Sequence, residues 1–393
     1  MTWFGSNCIE ILVFYLLSTV GLCSSELKLI QSVFRHGDRY PLPFEATQVF
    51  YPLNPYANSS WYPDSDGGLT MEGKTRSYEL GVLLRERYGD WFENRYSKNK
   101  VEFISATSER AAMTALLVAA GLFAPDNSSQ KWNPTLNWQP VAISSTWYPH
   151  NILFFGCFLC SKYALLLEKT KLNDPEIVMY DARMKTLYNY VSRHIGKPVN
   201  NRILYYYYME LLATMSAGLP APQWAEEIYL NGSLKEATIK EYEFSSWTDE
   251  LKRLTGGVWL ENWLSLVDDY VSSKMANESS KTKDNEEKKQ AFFYSGHDIN
   301  VGGIMNTLGI FYPHVPNYAS AINLELHENE EHQFYVKVAH RDSEGFSERI
   351  IPGCDELLCP LDTFKNLFSK FRAFNATEEC GSLAMLPGGV KSM

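Results

Sequence analysis

The sequence has few of the features that mark nucleic-acid-binding or membrane-spanning proteins. Its 36 Lys and Arg residues are outnumbered by 46 Asp and Glu residues, so the net charge is −10 and no basic block stands out. Nucleic-acid binding depends on clustered cations, and we therefore expect no nucleic-acid partner. After the first residues, no apolar run reaches the roughly 20 residues of a transmembrane helix, and we expect no membrane anchor. The chain also shows no internal repeat.

Cysteine is scarce, with seven residues in 393. Cys157-x-x-Cys160 has metal-ligand spacing, but no second C-x-x-C pair accompanies it. Disulfide formation therefore explains it better than a metal site. We expect neither a metal nor another cofactor.

The N-terminus resembles a secretory signal peptide. Residues 11–22 are apolar and precede Cys23-Ser24-Ser25, small residues that suit signal peptidase. Glu10 and the lack of a preceding Lys or Arg weaken this signal, and the alternative is a buried N-terminal helix. We predict that 1–23 is removed, which leaves five cysteines and therefore one unpaired thiol. Five Asn-x-Ser/Thr sequons also favour the secretory route: Asn58, Asn127, Asn231, Asn277 and Asn375. We expect a soluble glycoprotein that is secreted or kept in the lysosomal lumen.

Strands alternate with helices along the chain. Residues 26–34, 101–104 and 291–295 are short apolar runs typical of strands, and helices are predicted over 70–89 and 109–121. This order predicts an α/β fold with a mainly parallel central sheet flanked by helices. We assign 24–150 and 289–385 to the α/β core, 151–288 to an inserted and mostly helical cap, and 386–393 to a flexible tail. The aromatic residues of the cap, including Tyr205 to Tyr208, are more typical of a core than of a binding site.

Polar clusters follow the three predicted strands. Arg35-His36-Gly37-Asp38-Arg39 ends the first, Ser105-Ala106-Thr107-Ser108 the second and Gly296-His297-Asp298 the third. In parallel sheets, ligands bind beyond the carboxyl ends of the strands. We therefore expect these clusters to form one site, joined by Arg110 from the helix after the second strand.

These residue types match the chemistry of phosphate transfer. The guanidiniums of Arg35, Arg39 and Arg110 offer planar donors to phosphate oxygens. Neighbouring positive charge keeps His36 neutral and nucleophilic in acid, and Asp298 is placed to protonate a leaving alkoxide. The pattern indicates a phosphomonoesterase that needs no metal ligands. We expect its substrates to be small phosphate monoesters.

Two motifs, RHGDRYP at 35–41 and YSGHD at 294–298, resemble those of the histidine acid phosphatases, a branch of the histidine phosphatase superfamily. The segments GGLTMEGKTRSYELGVLLRERY at 67–88, SERAAMTA at 108–115, GLPAPQW at 218–224 and PGCDELLCPL at 352–361 are also similar to the prostatic and lysosomal types. The resemblance implies that His36 is the phosphohistidine nucleophile and Asp298 the proton donor. It further implies a phosphate site made of Arg35, Arg39, Arg110 and His297, and often a homodimer.

The same resemblance implies a Cys354–Cys359 disulfide and a partner for Cys380 in either Cys160 or Cys157. A third family disulfide is missing, because Ala321 stands at the place of one partner and 205–217 holds no Cys. Two other functions remain open. One is a specialised phytate, inositol-phosphate or lysophospholipid phosphatase, and the other is a non-catalytic secreted glycoprotein with the same fold.

Overall fold

The computed structural model describes residues 25–125, 129–145, 152–279, 289–372 and 375–380. The predicted signal segment, Asn127 and the predicted tail lie outside these ranges. The strands are β1 (Ser25–Arg35), β2 (Val101–Ser105), β3 (Ile143–Ser145), β4 (Ala291–Gly296), β5 (Ala321–Asn329), β6 (Phe334–Arg341), β7 (Phe346–Arg349) and β8 (Cys359–Pro360).

The helices lie in both parts of the predicted core and in the predicted cap between them. They are α1 (Phe44–Thr47), α2 (Met71–Tyr88), α3 (Glu109–Leu122), α4 (Ile152–Leu159), α5 (Ser161–Asn173), α6 (Pro175–Ile195), α7 (Asn201–Ser216), α8 (Gln223–Leu230), α9 (Ser233–Phe244), α10 (Asp249–Leu254), α11 (Gly256–Ser279), α12 (Asp298–Leu308), α13 (Leu361–Phe368) and α14 (Ala376–Cys380). A 3₁₀ turn, Ser369–Phe371, follows α13.

One mixed sheet organises the described residues. Its order is β3-β2-β4-β1-β5-β6-β7, with β8 also paired to β6. β3, β2, β4 and β1 are parallel neighbours, whereas β5, β6 and β7 continue the sheet as antiparallel strands. The predicted α/β fold with parallel core strands is confirmed, and the three predicted strands match β1, β2 and β4 to within about a residue.

The sheet is covered on both faces, as the side-chain alternation of β1 shows. Leu29 and Val33 pack into one core with residues of α11, α12 and α13, whereas Ile30 and Phe34 pack into a second core with residues of α2 and α3. Successive side chains of a strand point to opposite faces, so one apolar strand serves both cores. This buried position fixes the end of β1, where the Arg-His motif begins.

The helix before the second strand begins where the sequence predicted. The Oγ1 atom of Thr70 accepts a hydrogen bond of 3.1 Å from the backbone N–H of Gly73, which caps α2. Gly37 lies against this first turn, because a Cβ atom at Gly37 would come within 2.3 Å of the Gly73 carbonyl oxygen. We infer that the glycine of the RHG motif allows this close approach of backbone to backbone, not an approach to a ligand.

The helical segment 152–279 divides between two packing partners. Helices α6 to α9 form a core of their own around Leu204, Tyr207 and Ala237, together with Phe50 and Tyr51. By contrast, Trp259 and Trp263 of α11 pack into the core of the sheet. Among the described helices, none is both long enough and apolar enough to cross a bilayer.

The cysteines and sequons occupy distinct parts of the structure. Disulfides join Cys160 to Cys380 and Cys354 to Cys359. Three sequon asparagines are exposed: Asn58, Asn231 and Asn375. The side chains of Cys157 and Asn277 lie outside the described part.

Candidate active site

The carboxyl ends of β1 and β4 bring the two motifs together. The strands are in register at their last residues, with Arg35 opposite Gly296, and the backbone N–H of His36 donates to the Gly296 carbonyl at 3.0 Å. The rings of His36 and His297 are therefore only 5.5 Å apart between centroids, although 260 residues separate them in the chain. Adjacent parallel strands explain the convergence.

The tautomer of His36 follows from one hydrogen bond. Its Nδ1 atom lies 2.8 Å from the carbonyl oxygen of Gly37. A carbonyl oxygen only accepts, so Nδ1 carries the proton and Nε2 keeps its lone pair. The residue after the histidine thus fixes the ring and leaves Nε2 available for attack on an electrophile.

Both histidines are held neutral. Burial lowers the pKa of His36 well below its usual value, and the charges of Arg110 and Arg35 lower it further. Burial and the charge of Arg110 lower the pKa of His297 to about 3. The Nε2 atom of His297 is buried and has no hydrogen-bond partner among the described residues. Such an atom is suited to bind a ligand oxygen.

Arg35 is the most enclosed cation of the site. One terminal nitrogen donates to the Pro316 carbonyl at 2.6 Å, the other lies 3.4 Å from the sulfur of Met209, and the guanidinium stacks over the ring of Tyr318 at 4.0 Å. Its Nε atom is buried without a partner in the described part of the chain. The nearby carboxylate of Asp298 raises the pKa of Arg35 despite its burial, so the guanidinium stays charged.

Arg39 forms a buried ion pair with Glu210 of α7. Both of its terminal nitrogens lie 3.1 Å from one oxygen of Glu210, whose other oxygen accepts from the backbone N–H of Leu42 at 3.1 Å. Burial raises the pKa of Glu210, which the charge of Arg39 opposes. Helix α7 therefore supplies a negative charge beside one of the sequence-predicted phosphate ligands.

Arg110 lies in the first turn of α3, partly buried. Its Nε–H is enclosed and donates to no partner among the described residues. Burial and the neighbouring charge of Arg39 lower the pKa of Arg110 to about 10, so it remains protonated at any pH near neutrality. An unpaired guanidinium beside two neutral imidazoles forms a cationic pocket for an anion.

Asp298 opens helix α12 and is buried beside His297. Its Oδ2 atom accepts a hydrogen bond from the hydroxyl of Tyr205 at 3.1 Å and a short one from the hydroxyl of Tyr242. Burial by itself would raise the pKa of the carboxyl. The charge of Arg35 and the hydrogen bond from Tyr242 outweigh it and hold the pKa below its usual range.

Sequence reasoning missed the contributions of the cap. Tyr205, Met209, Glu210 and Tyr242 all contact predicted site residues, and none belongs to a motif. The interpretation of Tyr205 to Tyr208 as core holds for Tyr207 and Tyr208, but Tyr205 also reaches Asp298. In a helix, adjacent residues point about 100° apart, so one member of the run faces the site. A helical-wheel analysis could have separated them, but not named their partner.

No group of three or more His, Cys, Asp or Glu side chains within the described ranges is arranged to hold a metal ion. The predicted site residues instead form a cluster of guanidinium and imidazole groups beside one carboxylate. That combination suits binding of a phosphate group and transfer of a proton at its edge.

Comparisons with known proteins agree with this geometry. The chain is 36% identical over 366 residues to venom acid phosphatase Acph-1 of Apis mellifera, covering 90% of this chain and 88% of that one. It is 27% identical over 361 residues to lysosomal acid phosphatase of Homo sapiens, covering 90% and 80%. A phytase from Hafnia alvei, solved with myo-inositol hexakis sulphate, shares the fold with a TM-score of 0.62 at 18% identity, covering 90% of this chain and 98% of that one. The model of the histidine phosphatase superfamily (branch 2) matches residues 26–341, and this chain therefore belongs to that family.

Proposed function

We propose that this protein is an acid phosphatase that hydrolyses phosphate monoesters through a phosphohistidine at His36. The observation that carries the proposal is the orientation of this imidazole. Its Nδ1–H donates to the Gly37 carbonyl, and its Nε2 atom is unprotonated. The charges of Arg110 and Arg35 help to lower the pKa of the ring, which keeps it neutral. Relatives that match about nine-tenths of the chain are named acid phosphatases, which supports the same reaction.

The reaction has two balanced steps. In the first, His36 Nε2 forms a bond to phosphorus, the bond from phosphorus to the ester oxygen breaks, and Asp298 gives its proton to that oxygen, so an alcohol leaves. In the second, Asp298 takes a proton from water as the water oxygen bonds to phosphorus, the bond from phosphorus to His36 Nε2 breaks, and inorganic phosphate is released with the imidazole restored. Arg35, Arg39, Arg110 and His297 bind the phosphoryl oxygens in both steps.

An acid optimum follows from these charges. Asp298 must hold a proton when the ester bond breaks, and its pKa is below the usual range in the empty site. The proton therefore arrives with the substrate, as the monoanion of a phosphate ester whose second pKa is about 6. His36 stays neutral at acid pH. Activity should fall as the pH rises above about 6, because the dianion brings no proton.

Glu210 supports a substrate with a single phosphate. A carboxylate paired to Arg39 removes one positive charge from the surroundings of the phosphate pocket. A phytate or inositol-phosphate specialist would need more cations there, not fewer. A lysophospholipid remains a monoester and is a second candidate, which a panel of phosphate esters would separate from small substrates.

The test is hydrolysis of p-nitrophenyl phosphate between about pH 4 and 8 with EDTA present. His36→Ala should abolish activity and phosphoenzyme formation, and Asp298→Ala should reduce the rate roughly 100-fold or more. His332→Ala is the control at an exposed histidine and should keep the wild-type activity. A folded wild-type protein with no activity on this ester would contradict a general acid phosphatase. Inactivity on every ester of the panel would favour the non-catalytic glycoprotein.

We further propose that the protein is secreted or lysosomal and forms a homodimer. Two disulfides and the exposed sequon asparagines are typical of proteins of the secretory route.

Trp132, Leu136 and Trp138 are exposed between α3 and the short edge strand β3, and such apolar patches often mark protein interfaces. Sedimentation of the wild type and of Trp132→Lys would test the dimer, since a dimer through this patch should dissociate in the variant.

A further inference from the structure

Two tyrosines of the cap converge on one atom of Asp298. Tyr205 comes from α7 and Tyr242 from α9, and both hydroxyls donate to Oδ2. Among the described residues, the other oxygen, Oδ1, receives no side-chain or backbone hydrogen bond. Because only one oxygen of this buried carboxyl accepts hydrogen bonds from the tyrosines, its two oxygens are chemically different.

We propose that Tyr205 and Tyr242 are positioning residues that hold Oδ2 of Asp298 and thereby reserve Oδ1 as the atom that transfers the proton to the leaving oxygen. The inference rests on the function proposed above. It adds a role for the cap in the chemical step, beyond that of covering the substrate.

The geometry explains why one oxygen is selected. A proton on Oδ2 would require one of the two hydroxyls to give up its donor role, whereas a proton on Oδ1 leaves both hydrogen bonds intact. The rings of Tyr205 and Tyr242 also support each other, packing edge to face at 5.5 Å and 87°. Both are buried, so their hydroxyls have few alternative orientations. The carboxyl is thus held in a fixed orientation.

The two hydroxyls should also tune the proton affinity of the carboxyl. A donor to a carboxylate favours its charged form, and both hydrogen bonds lower the pKa of Asp298. Replacing either tyrosine with phenylalanine removes the donor and keeps the ring. The carboxyl would then hold its proton to higher pH but lose part of its orientation.

The test compares Tyr205→Phe and Tyr242→Phe on two substrates with different needs for a proton. Glycerol 2-phosphate releases an alkoxide and depends strongly on the general acid, whereas p-nitrophenyl phosphate releases a stable phenolate and depends less on the acid in that first step, although it still needs Asp298 as the base in the second. We expect each variant to lose roughly ten-fold more kcat/KM on glycerol 2-phosphate than on the nitrophenyl ester. At saturating glycerol 2-phosphate, kcat reports the complex, in which the proton has passed from the substrate to Asp298. The midpoint of the alkaline fall in kcat should therefore follow the pKa of Asp298 and rise by about one pH unit.

Tyr163→Phe is the matched control. Tyr163 is another buried cap tyrosine, and its hydroxyl donates to the Ser245 carbonyl at 3.0 Å, not to the carboxyl. It should lower stability without changing the substrate ratio or the pH midpoint. Inhibition by inorganic phosphate, unchanged in all three variants, would show that the pocket is intact.

The outcomes separate the inference from the function on which it rests. Equal losses on both substrates with an unshifted midpoint in both site variants would overturn the positioning role. A wild-type protein that hydrolyses neither ester, or a His36→Ala protein that still does, would instead overturn the proposed function.

Discussion

Neutralising Glu210 should make the protein bind phosphate more tightly and should also make it less stable. The side chain is 1% exposed and holds both terminal nitrogens of Arg39. Glu210→Gln keeps the shape and one acceptor but removes the negative charge. We take the phosphate to bind on the side of the Arg39 guanidinium that faces away from Glu210.

The magnitude follows from Coulomb's law. With the guanidinium between them, the carboxylate and the phosphorus would lie about 8 Å apart, and two unit charges at that distance repel by about 2 kcal/mol at an effective dielectric constant of 20. Inhibition by inorganic phosphate should therefore strengthen roughly 30-fold in Glu210→Gln. Removing one partner of a buried pair costs about 3–5 kcal/mol, and the amide that remains should keep the loss near the lower end.

The assay has two readouts, the inhibition constant of phosphate at about pH 5 and the free energy of unfolding in urea. Glu241→Gln is the matched control, since Glu241 is a buried cap carboxylate paired with Lys171 at 2.6 Å and contacts none of the predicted phosphate ligands. It should lose stability and leave phosphate inhibition unchanged. A folded Glu210→Gln protein whose phosphate inhibition is unchanged or weaker would refute the argument, because Glu210 would then serve only to orient Arg39.

Two further predictions concern stability. The pKa of His297 is about 3 in the folded protein and about 6.5 when unfolded, so the free energy of unfolding is fully retained above about pH 6.5 and falls by about 1.4 kcal/mol per pH unit below it. Urea unfolding at several pH values should show a shallower fall in His297→Asn, and equal slopes would contradict the buried neutral histidine. The Cys160–Cys380 disulfide closes a loop with a sequence separation of 220, so the double variant Cys160→Ser with Cys380→Ser should lose about 5 kcal/mol if loop entropy dominates. A loss below about 1 kcal/mol would show that this disulfide lowers the conformational entropy of the unfolded chain only a little.

The local pattern of the sequence determined the sheet and the ends of its strands. The short run 26–34, rich in apolar and β-branched residues, indicates a strand, and the polar cluster that follows it marks the point where the chain leaves the sheet. The sequence by itself therefore predicts that His36, His297 and Asp298 lie at one edge of the sheet. Asn-x-Ser/Thr sequons and cysteines similarly indicated the secretory route.

The cap side of the site depended on tertiary structure. Which tyrosine of the 205–208 run meets Asp298, and which carboxylate meets Arg39, is set by the rotation and height of α7 and α9 over the sheet. Those quantities come from packing between elements far apart in sequence, which no local pattern encodes. The pairing of Cys380 with Cys160 was decided in the same way, because two cysteines three residues apart were equally plausible by sequence. The sequence alone determined that the residues after each strand lie at the edge of the sheet. The side chains of α7 and α9 that contact them were decided only by how those helices pack over the sheet.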